Sequence, residues 1–307
     1  MTSKRASGAI LLFVFSILAT CAIAFSEERQ KGPPLFVEIA ATQQFDIAND
    51  PTVIRERVVK VNFNLLGKEP FPPESAADTA DLLTLNLFGD VELTAVLDRI
   101  DATMPEFFSW IGHIDGVDHS KVMLIVGEGL IQGSITMPDA LYKISGLGSG
   151  RHAISEIDQT GFPPELDPIP VAPENSALAP EKKRVAFDAM SADDGSTIDI
   201  MVFYTTAARI AAGGKSEITA QILEAYQDTN EGYRKSGVVQ SLRLIDLYAY
   251  DPEVDYSESN FDWTSTIKRL RNTADGQMDR VHELRDQYKA DIVVLIIDGD
   301  NSYCGMS

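Results

Sequence analysis

The segment FPPELDPIPVAPENSALAPEKKR, residues 162–184, carries Pro163, Pro164, Pro168, Pro170, Pro173 and Pro180, six of the chain's 15 prolines. Proline fixes φ and has no N–H to donate, so this stretch can neither wind into a helix nor enter the middle of a sheet. The chain must therefore fold as two parts, one on each side. The segment closes on Lys182, Lys183 and Arg184, the densest basic cluster of an acidic chain. An extended, basic-tipped segment is open to proteases, so processing near it is expected beside the plainer reading of an interdomain linker.

Upstream, short β-like runs follow one another: 53–66, 82–88, 91–100, 106–114, 121–129, 130–137, 140–147 and 151–158. Val59, Val61, Phe63 and Leu65 alternate with polar residues, the period of a strand wet on one face. Gly89-Asp90, Asp115-Gly116 and GLGSG at 146–150 punctuate the runs as turns. These features predict a β-rich domain built of hairpins over residues 25–161.

Downstream the period changes. STIDIMVFYT (196–205) reads as a buried strand, and SEITAQILEAYQDTNEGYRKSG (216–237) as an amphipathic helix. Ser216 is its N-cap candidate, Ile218, Ile222, Tyr226 and Tyr233 its inner stripe, and Gly237 its stop. VVQSLRLIDLYAY (238–250) alternates as a second strand, one broken helix or two short helices follow, and Ile292–Ile297 reads as a third, buried strand. Strands alternating with helices predict crossovers onto a mostly parallel sheet. The expected fold class is therefore α+β overall, with a β-rich N-terminal domain, a linker over 162–195 and a partial α/β subdomain over 196–307.

A formal net charge of −20 makes the surface repel phosphate backbones and anionic lipid, which argues against nucleic-acid and membrane-surface partners. At the N-terminus Lys4 and Arg5 precede an apolar run from Ala9 to Ala24. Ala22 and Ala24 supply small residues at the −3 and −1 positions, so residues 1–24 read as an export signal cleaved after Ala24. The run is shorter than the roughly 20 residues of a spanning helix. Cys21 invites a lipid-anchor reading, but Thr20 directly before it fits poorly. Removal of the signal leaves Cys304 alone, as a free or intermolecular thiol or with a partner outside this sequence.

Several local patterns touch metal chemistry. VHELRD (281–286) offers His282 and Asp286 as ligands with Glu283 as base, but no third histidine follows and a solvated helix face explains it. His113, Asp115, Asp118 and His119 gather around an Asp-Gly that marks a hairpin turn. Asp298, Asp300 and Ser302 begin like a calcium loop, yet Tyr303 stands where glycine is needed and the closing glutamate is missing, so calcium is possible but unsupported. GLGSG lacks phosphate-loop spacing, and no GxSxG is present. No complete catalytic site can be assembled, so no catalytic or metal-binding residue is assigned.

The order of IDIMVFYTTAAR (198–209), ITAQILEAYQDTNEGYRKSGV (218–238), LRLIDLYAYD (242–251), DGQMDRVHELRDQYKADIVVLI (275–296) and YCGMS (303–307) resembles secreted bacterial zinc metalloendopeptidases. These are the reprolysin-like branch of the metzincins, including peptidyl-Asp metallopeptidases. LTLNLFGDVELTAVLDRID and GRHAISEIDQTGFPPE resemble the β-rich propeptide of their precursors. In that family the zinc-binding HExxHxxGxxH helix follows further on, so the resemblance implies zinc in a longer protein and an inactive chain as given.

The resemblance also implies that Gly305 and Met306 begin an edge strand that binds substrate by strand addition, and that Cys304 is half of a disulfide with a downstream partner. The implied partners are a protein or peptide substrate and the chain's own propeptide as intramolecular inhibitor, with no nucleic acid and no membrane beyond the signal. The implied location is extracellular or periplasmic. A rival expectation is a non-catalytic secreted binding or inhibitor protein that keeps the propeptide and half of the protease fold.

Overall fold

Nine antiparallel strands dominate the computed structural model, which describes residues 31–39, 50–67, 79–169, 197–299 and 302–307, with Thr103 described by its backbone alone. The expected signal segment 1–24, Cys21, Lys182–Arg184 and Asp300 lie outside the described residues. The strands are β1 (Phe36–Glu38), β2 (Val53–Val61), β3 (Leu82–Phe88), β4 (Val91–Met104), β5 (Phe107–Ile114), β6 (Lys121–Gly127), β7 (Leu130–Thr136), β8 (Leu141–Gly146) and β9 (His152–Ile157). Their order in the sheet is β1-β2-β9-β8-β7-β6-β5-β4-β3. Sequential hairpins make most neighbours, as the turn punctuation predicts. Glu128 and Gly129, at φ 48° and 75°, turn β6 into β7 with the left-handed pair a two-residue hairpin needs.

The two ends of this sheet approach each other. Leu35 N–H donates to Thr84 O at 2.9 Å and Thr84 N–H to Pro33 O at 3.0 Å, joining the chain before β1 to β3. The Asn86 carboxamide copies a strand pair: its Oδ1 accepts from Phe36 N–H at 3.0 Å and its Nδ2 donates to Phe36 O at 2.8 Å. The result is a nearly closed, barrel-like sheet, which hides edges that would otherwise pair with other chains.

Strands β5, β6 and β7 are buried on both faces. Phe108, Trp110, Leu124, Val126 and Ile131 point into the barrel cluster, while Phe107, Ile111, Met123, Ile125 and Leu130 join a second cluster with the C-terminal half. That double burial is why these runs read as nearly continuous apolar stretches.

The C-terminal half holds α1 (Thr206–Ala212), α2 (Lys215–Ser236), α3 (Trp263–Arg271) and α4 (Asp279–Tyr288) around a small sheet. Its centre is β10 (Thr197–Thr205), paired in parallel with β11 (Ser241–Leu244), β12 (Glu253–Val254) and β13 (Ile292–Ile296). Helix α2 begins at Lys215, its N-cap position being Gly214, two residues before the expected Ser216, with no side-chain cap, and it buries Ile218 and Ile222 as predicted.

The expected fold class needs correction. Among the described residues the molecule is β-rich, and the parallel component is a small four-stranded sheet with four helices, not a mostly parallel α/β subdomain of the expected kind. Two local reasons are visible. The second expected strand, 238–250, shrinks to Ser241–Leu244, because Tyr250 takes the backbone of Val202 where β11 would continue along β10, while Asn230 on α2 covers the other edge of β11 at Leu242. The third expected strand forms as β13 but is half-exposed, because Val293 and Leu295 pack on the core from one face while Ile292, at 45%, and Val294, at 40%, lie on the other.

Candidate functional site

Thr205 ends β10 and begins α1, its hydroxyl accepting from Ala208 N–H at 3.1 Å and donating to the Glu258 carboxylate. The same carboxylate accepts from Asp298 N–H at 3.2 Å and Gly299 N–H at 2.7 Å. One half-buried acid thus ties the end of β10 to the turn after β13. The amides of the turn expected to resemble a calcium loop face an anion.

Beyond that turn the Tyr303 ring meets Trp263 edge-on, centroids 6.2 Å apart, and Trp263 meets Phe261 at 5.1 Å. These rings fix the entry of Cys304–Ser307 beside a groove of about 610 Å³ lined by α3 and β13, including Trp263, Ile267, Leu270 and Met306. The backbone of Cys304–Ser307 is already engaged. Cys304 N–H donates to Pro164 O at 3.1 Å, Leu166 N–H to Gly305 O at 3.0 Å and Ile169 N–H to Ser307 O at 2.9 Å. The Cys304 thiol is free and exposed, and it donates to Pro163 O at 3.0 Å. Gly305 and Met306 are half-buried, and a Cβ built on Gly305 would meet nothing within 4 Å.

The other singled-out residues scatter. His282 sits half-buried on α4 with its Nε2 unpartnered, while Glu283 and Asp286 are exposed. His113 pairs with Asp98 at 2.8 Å, and Asp115, Asp118 and His119 occupy the β5–β6 turn, as turn chemistry predicts. Among the described residues no group of three or more His, Cys, Asp or Glu side chains could hold a metal ion, and no helix is long and apolar enough to cross a membrane.

Two features carried no sequence signal. His152 is fully buried in the barrel, where its Nε2 accepts from Ile131 N–H at 2.9 Å and burial lowers its pKa to about 4. The second is a polar stripe on α2 facing the barrel. Glu224 accepts from Gln132 at 2.9 Å, Asp228 pairs with Lys121 at 2.6 Å, and Glu231 pairs with Arg99 at 2.9 Å and Arg234 at 2.6 Å. Burial raises the Glu224 pKa against the hydrogen bonds from Gln132 and Ser134. Burial also pushes Glu231 up, but the hydrogen bonds and charges of Arg234 and Arg99 outweigh it and hold its pKa at about 2.

The whole chain aligns, at 27% identity over 324 residues, with 73% of a protein of Xanthomonas campestris pv. campestris named peptidyl-Asp metalloendopeptidase. Two proteins of Stenotrophomonas maltophilia with the same name are 31% identical over 192 and 198 residues, covering 61% and 62% of this chain. The chain spans 43% of the length of each of those two relatives. No family model matches the chain. The named relatives support a metallopeptidase family.

Proposed function

We propose that this chain is part of the precursor of an exported zinc metalloendopeptidase, with a signal segment (1–24), a β-rich propeptide-like domain (25–161), a linker (162–195) and the first part of the catalytic domain (196–307). The observation that carries this reading is the alignment of the entire chain with a peptidyl-Asp metalloendopeptidase. Kinship to the reprolysin-like branch is its finer part and rests on the order of the segments between 198 and 307. Protein or peptide is the substrate class.

In this reading Gly305 and Met306 offer backbone groups to an extended substrate, which strand addition requires. The space beside Gly305 favours close approach of another backbone. Cys304 is exposed, as a thiol awaiting a disulfide partner would be. The propeptide-like domain holds α2 through the pairs at Asp228 and Glu231, so its removal would free an acidic stripe. The metal enters through the names of the relatives. The described residues hold no donor set that fits it, so no zinc ligand and no catalytic step is assigned to this chain.

The test is the complete product of the gene, read through whatever follows codon 307, assayed on an unfolded protein substrate with and without a chelator. Hydrolysis abolished by the chelator and restored by zinc supports the reading. A complete product that leaves the substrate intact, or cuts it equally well in chelator, refutes it.

A further inference from the structure

Gln132 and Ser134 stand on the outer face of β7, both buried beneath α2. The Gln132 Nε2 donates to Glu224 Oε2 at 2.9 Å, while Gln132 Oε1 is sealed from solvent and has no partner among the described residues. An ionised carboxylate can only accept, so it serves the amide end of Gln132 and never the carbonyl end. Turning the carboxamide over would set two acceptors against each other and leave the Nε2 hydrogens unused. A neutral carboxylic acid serves both ends, because its carbonyl oxygen accepts the N–H and its hydroxyl donates to the carbonyl.

The surroundings treat Glu224 differently from the other acids of the stripe. β7 itself brings no charge to the contact. Lys143 on β8 is the cation near Glu224, and Asp228 lies one turn further along α2. Asp228 is paired with Lys121 on β6, and Glu231 with Arg99 on β4 and with Arg234. The other elements packed on α2 bring Arg209 on α1 and Arg243 on β11, held by Glu253 and Asp199. The barrel thus binds Asp228 and Glu231 through cations but binds Glu224 through a carboxamide. Burial raises the Glu224 pKa, with the charge of Asp228 acting in the same direction, and outweighs the hydrogen bonds from Gln132 and Ser134 and the charge of Lys143.

We infer that Glu224 is a proton-dependent clasp between α2 and the barrel. As the neutral acid it accepts from Gln132 Nε2 at Oε2 and donates the proton on its Oε1 to Gln132 Oε1. Ionisation sends that proton to solvent, breaks the second bond and leaves a buried charge, so the contact loosens. The folded pKa lies above the ordinary 4.5, so the clasp is complete below pH 4.5 and is lost as pH rises through the folded value. This sense is opposite to that of the Glu231 ion pairs, which need a carboxylate and fail in acid.

The test uses the 307-residue chain and needs no metal. In an NMR titration the Glu224 carboxyl carbon should change above pH 4.5, and the Gln132 carboxamide signals should move with the same midpoint. A Glu224 midpoint at or below 4.5, or a Gln132 carboxamide that does not follow it, would overturn the inference. Glu224→Gln is the neutral mimic, because a second carboxamide accepts and donates in the same places. Between pH 4.5 and about pH 8 the unfolding constant of the wild type should rise at least about threefold relative to that of Glu224→Gln. Parallel profiles of the two proteins would overturn it as well. The titration of the wild type stands even where the variant fails to fold.

Discussion

The phenol of Tyr250 donates to Val202 O at 2.8 Å and accepts from Val202 N–H at 3.1 Å. On the same edge of β10, Ile200 O accepts from Ile245 N–H and Tyr204 N–H donates to Pro252 O. One side chain thus fills the gap between β11 and β12, where a backbone partner would otherwise sit. Burial raises the Tyr250 pKa well above the ordinary phenol range, consistent with a hydroxyl kept protonated for this double role.

Tyr250→Phe keeps the ring, which packs 5.3 Å from Phe203, but leaves a buried N–H and C=O without partners. The expected cost is about 1–3 kcal/mol of unfolding free energy in a urea titration. An unchanged midpoint would mean that water or a shifted backbone replaces the phenol.

His152 gives a pH dependence whose sign is fixed. Its folded pKa of about 4 lies below the ordinary 6.5, so the fold excludes the charged form. Stability is full above pH 6.5 and is lost as pH falls towards 4, by at most about 3 kcal/mol. His152→Gln, which keeps an acceptor for Ile131 N–H, should flatten that limb of the stability profile. A limb of unchanged depth would assign it to other groups.

A second acid limb belongs to Glu231, whose pKa of about 2 lies below the ordinary 4.5. Its stabilisation is present above pH 4.5 and is lost as pH falls from there towards 2. Glu231→Gln should remove this limb and leave the His152 limb standing. In a double-mutant cycle, Arg99→Ala with Glu231→Gln should show coupling of about 1–2 kcal/mol, because one partner is buried and the other is two-thirds covered. Coupling near zero would show that Arg234 and Lys235 satisfy the carboxylate alone.

Asn86 is the seam of the barrel. Asn86→Ala removes both bonds to Phe36 and should speed exchange of the Phe36 amide and lower stability by about 1–2 kcal/mol. Asn86→Asp keeps the acceptor and should slow that exchange again. If the Phe36 amide exchanges alike in all three proteins, the ends of the sheet are held by the Pro33–Leu35 contacts to Thr84 instead.

Alternation and turn residues sufficed to place β2 as far as Val61 and the hairpins from β3 to β9, because each such strand is decided by neighbours close in sequence, whereas Phe63 and Leu65, also read as strand, form a 3₁₀ turn. The helix α2 was legible for the same reason, down to the burial of Ile218 and Ile222. In the second half β10 and β13 were legible too, but the strand expected over 238–250 was not. Its length depends on Tyr250, whose phenol takes the Val202 backbone from a position that no period reveals.

By itself the sequence determined that the proline-rich segment cannot enter a helix or the middle of a sheet, that hairpins precede it, and that strands and helices alternate after it. All of these follow from local backbone constraints and short-range periodicity. Only the tertiary structure decided that the antiparallel sheet dominates and nearly closes, that β5–β7 are buried on both faces, and that β13 stays half-exposed. It also decided where residues 163–169, the described start of that segment, lie. Proline made residues 163–169 extended, but which edge an extended segment lies on is a long-range choice, made by the free amides of Leu166 and Ile169 and the carbonyls of Gly305 and Ser307.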